Sequence, residues 1–186
     1  MPTGTRQLIF VLVLSVSFIV SSDGFAGTQP FFGSGTYTNV NSSFTYDGAA
    51  SAALLTGSEK TNIGPSTFQV VSEVSPSTVV CTAPDGTAGT TFNLVQTDAA
   101  GAWPQGQLYF TAVGAAVGSQ CVSNTTGSNG GSITYTITGG TGPFTGASGT
   151  TLLKFVGQTL AAPGSPAGSN GIFGAGQFTF SGSLTK

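Results

Sequence analysis

Between Ser132 and Gln158 the chain reads SITYTITGGTGPFTGASGTTLLKFVGQ, and its apolar and hydroxyl-bearing positions alternate strictly at first. Ile133, Tyr135 and Ile137 fall on one face and Thr134, Thr136 and Thr138 on the other, which predicts a half-buried strand. A glycine-dense turn follows, then a second apolar strand. Gln177 to Leu184, QFTFSGSL, repeats the alternation, with Phe178, Phe180 and Leu184 on one face, and a terminal strand so regular is expected to dock in a sheet.

The same pattern predicts strands over Thr67–Val74, Ser77–Thr82, Thr90–Thr97, Gln107–Val113 and Gly118–Ser123. Ser75-Pro76, Pro84-Asp85-Gly86, Ala100-Gly101 and Gly114 supply the expected turns between them. Phe31 to Tyr46 reads as strand, turn over Asn39–Ser43, and strand. Only Asp47 to Glu59 has helix-like composition, and Gly48 and Gly57 limit it to a turn or two of helix, or a loop. Asn124 to Gly131 and the Pro- and Gly-rich Ala161 to Gly171 are expected to be loops. Some eight to ten short strands without a long helix imply an all-β fold. The expectation is a closed, calycin-like antiparallel β-barrel of about eight strands, with a two-sheet sandwich as the alternative. Glycines inside strands, among them Gly33, Gly35, Gly174, Gly176 and Gly182, mark bends or close backbone approach and favour closure.

Composition narrows the class. The chain has 186 residues, 29 of them Gly, and only 5% are charged, against about 25% in an average domain. With 14 Phe and 4 Tyr it is too apolar for a disordered segment. Arg6, Lys60, Lys154 and Lys186 are scattered, so no basic footprint for nucleic acid exists.

Arg6, the thirteen-residue run Leu8–Val20, and the small residues that follow read as a secretory signal peptide over residues 1–26, cleaved after Ser22 or Ala26. A stable membrane span needs roughly 20 apolar residues, more than the run supplies. Residues 27–186 then form a single domain. Export lets Cys81 and Cys121, the only two cysteines, pair; two buried free thiols are the alternative. Two Cys without His leave no structural zinc site, and no other metal or cofactor motif occurs. Asn41 and Asn124 begin N-glycosylation sequons, which matter only in a eukaryotic secretory pathway.

Candidate chemistry is sparse. The absence of His removes the commonest general base. Asp47, Asp85 and Asp98 sit in turn contexts that they would cap, and Glu59 beside Lys60 reads as a solvated loop residue. Glu73, on the face of Gln69 and Val71, is the candidate acid, base or ligand anchor, provided that face lines the interior. Lys154 is its candidate partner, and Tyr135 the third candidate ligand-binding residue. Trp103 reads as a packing plug or a sugar-stacking residue at a loop rim. Gly139 to Gly142 lacks the Lys and the following helix of a phosphate loop.

Gly139, Gly140, Thr141, Gly142, Phe144, Ala147 and Gly149 resemble the GGTG-x-F-x-x-A-x-G signature of the allene oxide cyclase and dirigent barrel superfamily, especially its exported bacterial relatives. The resemblance extends over about Val70 to Leu184 and implies that the motif is a tight turn joining two barrel strands. Ser148 and Pro143 stand where dirigent proteins carry basic residues, so the resemblance implies the fold rather than the chemistry. It also implies a possible homo-oligomer, a trimer. The function expected is a non-enzymatic exported barrel, a carrier of a small apolar ligand or an extracellular structural or surface component. The alternatives are an allene-oxide-cyclase-like isomerase and a dirigent-like guide of phenolic radical coupling.

Overall fold

The computed structural model describes residues 27–42, 51–113, 118–160 and 173–186. The expected signal peptide, the Ala161–Gly171 loop and the turn at Gly114 lie outside these residues. Nine strands follow in order: β1 (Thr28–Ser42), β2 (Ser51–Thr61), β3 (Gly64–Thr82), β4 (Ala88–Trp103), β5 (Gly106–Val113), β6 (Gly118–Ser123), β7 (Ser128–Gly140), β8 (Ser148–Leu160) and β9 (Phe173–Thr185).

All belong to one antiparallel sheet in which β3, β2, β1, β9, β8, β7, β5 and β4 are successive neighbours. Because β3 also pairs with β4, these eight strands form a ring. The short strands β5 and β6 share one place in it. β5 pairs with Gln96–Trp103 of β4, and β6 pairs with Gly89–Asn93 of the same strand. Both then pair with β7. The architecture is therefore all-β and barrel-like.

The expected alternation holds where it was clearest. Ile133, Tyr135, Ile137, Phe178, Phe180 and Leu184 are all buried. Of the shorter strands expected upstream, Gln107–Val113 and Gly118–Ser123 correspond to β5 and β6, whereas Thr67–Val74 and Ser77–Thr82 are pieces of β3 and Thr90–Thr97 is a piece of β4. Ser75-Pro76 does not separate two strands but lies within β3 at a register shift, where Pro, lacking an N–H, is tolerated. Ala100-Gly101 is not a turn, since β4 runs through it to Trp103. Nor do residues 51–59 form a helix or loop. They belong to β2, whose backbone pairs with β1 on one side and β3 on the other, so tertiary pairing overrides an alanine-rich composition. Asn39 to Ser42, expected to begin a turn, continue β1 instead, and Ser43 lies outside the described residues.

Glycines inside the strands make room for rings. Gly33 is paired with Phe180, Gly35 with Phe178, and Gly57 with Phe68. A methyl group built on any of the three would stand 2.8, 2.6 or 2.6 Å from the partner's ring carbon. Tyr37 reaches over Gly176 and Gly157 in the same way. Each aromatic side chain thus lies flat across the neighbouring strand, the arrangement by which aromatic rings compensate strand glycines.

These rings form the core. Phe144 packs on Trp103 at 5.5 Å, Trp103 on Phe31 at 6.3 Å, and Phe31 on Phe180 at 4.9 Å between centroids. Phe180 continues to Phe178, and Phe178 to Phe68 at 5.0 Å. A branch runs from Phe31 through Phe110 to Tyr135. Burial of each large side chain stabilises the fold by about 1.5–3 kcal/mol, so this chain of rings is a principal source of stability.

Cys81 of β3 and Cys121 of β6 form a disulfide that closes a 40-residue separation. The two strands lie on either side of β4, and a methyl on Gly89 of β4 would sit 2.9 Å from the Cys121 sulfur. Two inter-strand steps span about 9.6 Å in a flat sheet. The observed Cα separation is 6.0 Å, so the sheet curls sharply across Gly89.

Candidate functional site

The Gly139–Gly149 segment is a structural joint. Gly142 to Phe144 form a 3-10 turn between β7 and β8, and the Thr141 amide donates to the Gln107 carbonyl. Gly142 has φ of 59° and Gly146 of 78°, left-handed values that favour glycine. Phe144 and Ala147 are buried beneath the turn. Phe144 and Ala147 thus close one end of the core, while the exposed Thr141 hydroxyl accepts a hydrogen bond from the Gln107 amide.

The three candidate ligand-binding residues occupy separate places. Tyr135 points inward and is buried against Phe110. Burial, with a smaller contribution from the Asp98 charge, raises its hydroxyl pKa well above the usual tyrosine value, so it stays protonated. Lys154 is exposed on β8, on the opposite face from Leu153 and Phe155. Glu73 is buried on β3 between Ala52 of β2 and Gln96 of β4, next to a register shift before Val74. Across the sheet from it, the Ser72 and Thr97 hydroxyls are 2.9 Å apart and buried. Lys154 is grouped instead with Glu59 and Lys60.

Glu59 corrects the expectation of a solvated loop carboxylate. It lies in β2 with Ser58 and Lys60 outward, and its inward neighbours across the strands are Gly35 and Ser66. The Ser66 hydroxyl donates to Glu59 Oε1 at 2.6 Å. Trp103 closes this end of the core, its indole N–H directed at Thr61 Oγ1 and the Gly64 carbonyl. It is 5% exposed, which makes it a packing plug rather than a sugar-stacking platform. Desolvation raises the Glu59 carboxyl pKa, and the Ser66 hydrogen bond offsets this in part.

Glu59 and Ser66 also line a groove of about 750 Å³. Its other walls are mostly outward-facing residues of five adjacent strands, among them Ser34, Thr36, Lys60, Lys154, Gln177 and Thr179. Lys154, Thr179, Ser34, Lys60 and Pro65 form a single cross-strand row on that face. The groove offers one carboxyl group, two ammonium groups and several hydroxyls. It can hydrogen-bond a polar ligand. Among the described residues no group of three His, Cys, Asp or Glu could hold a metal ion.

Sequence reasoning missed Glu59 because Gly57 and the acidic-basic pair suggested a loop. The discriminating signal was the alternation of Leu55, Gly57 and Glu59 against Thr56, Ser58 and Lys60.

No family model matches the chain, and no curated protein or solved structure resembles it significantly. What fold and site define is a class: an all-β, barrel-like, disulfide-linked protein. No helix of the described residues is long and apolar enough to cross a membrane.

Proposed function

We propose that the chain is an exported, non-enzymatic protein with a calycin-like barrel, serving as an extracellular structural or surface component. The observation that carries this proposal is the line of rings from Phe144 through Trp103, Phe31 and Phe180 to Phe178, which occupies interior space that a lumenal carrier keeps open. Export is supported by the apolar leader together with the Cys81–Cys121 bond, which persists in oxidising compartments. The GGTG-x-F segment, formed as a tight turn between two strands, supports kinship with the allene oxide cyclase and dirigent superfamily at the level of fold.

One observation favours a ligand-binding role: the desolvated Glu59 carboxyl in the wall of the groove. The ligand would then be polar. An isomerase or radical-coupling guide of the superfamily's type needs an open apolar interior, which these rings work against. Native mass spectrometry of protein purified from its own host separates the proposals. A bare polypeptide mass supports the structural role, and a retained small apolar molecule overturns it.

A further inference from the structure

We draw no further inference here: the strongest candidate, the outward pair Lys154 and Lys60 with Thr179 and Ser34 between them on one cross-strand row of β8, β9, β1 and β2, belongs to the groove already described, and its two ammonium groups stand three strands apart on the outside of the ring.

Discussion

Gly101→Ala tests the packing of rings over strand glycines where the contact is made by side chains alone. A methyl group at Gly101 would meet Trp103 ring carbons at 2.7 and 2.8 Å and Glu59 Oε1 at 3.5 Å. The indole has nowhere to go. Its N–H is held by Thr61 and Gly64, and Phe144 and Phe31 pack against it. Overpacking of this kind costs about 1–3 kcal/mol. Displacing the indole from its acceptors costs about 1 kcal/mol more. The lower entropy of the unfolded alanine chain returns about 0.4–1 kcal/mol. The net expectation is a loss of about 1–3 kcal/mol, some 2–12 °C in Tm for a domain of this size. Urea unfolding followed by circular dichroism measures it, and the fluorescence of Trp103, the chain's single tryptophan, should report the altered environment. In a Trp103→Leu background the same Gly101→Ala change should cost little or even stabilise, a coupling of the size seen between touching residues, about 0.5–3 kcal/mol. If Gly101→Ala matched the native stability, or cost as much without the indole as with it, the ring-over-glycine account would fail.

Burial raises the Glu59 pKa, so the folded state holds that proton more tightly than the unfolded chain does. The resulting stability is complete below the unfolded-state pKa and is lost as pH rises through the raised folded value; Glu59→Gln should remove that loss, seen as a flatter series of urea midpoints across the pH range. Asp85 has the opposite sign, because hydrogen bonds from Thr126 and Thr87 lower its pKa. Its contribution is present above the unfolded-state pKa and fades as pH falls through the folded one, and Asp85→Asn should flatten the acid limb of the same series. Replacing Cys81 and Cys121 with Ser reopens a 40-residue loop and should cost about 4 kcal/mol in the chain-entropy picture, read as a fall in Tm relative to the oxidised native chain.

How legible the fold was depended on the range of the interactions that decide it. Ile133, Tyr135 and Ile137, and Phe178 and Phe180, announce their faces by local alternation, and the structure buries them all. The turn at Gly142 and Gly146 was equally visible, since the need for left-handed backbone is local. The strand glycines were legible only as places of close approach. What approaches Gly33 is Phe180, from the far end of the chain, and no neighbouring residue encodes that pairing. β2 hid for a similar reason. Alanine and glycine carry little strand signal of their own, and the strand exists because β1 and β3 both need its backbone groups. Glu59 became a candidate only once β2 was a strand, whereas Glu73, Lys154 and Tyr135 were picked by residue type and lie in separate surroundings.

Proton NMR of the folded protein with an apolar ligand such as laurate added stepwise puts the packed interior to its most direct test. Cross-peaks between the Trp103 indole and the Phe144 ring, and between the Phe31 and Phe180 rings, are predicted to be present at the start and unchanged at the end of the titration. Their absence, or their replacement by contacts to the ligand's methylenes, would show an open lumen and contradict the role proposed for this chain.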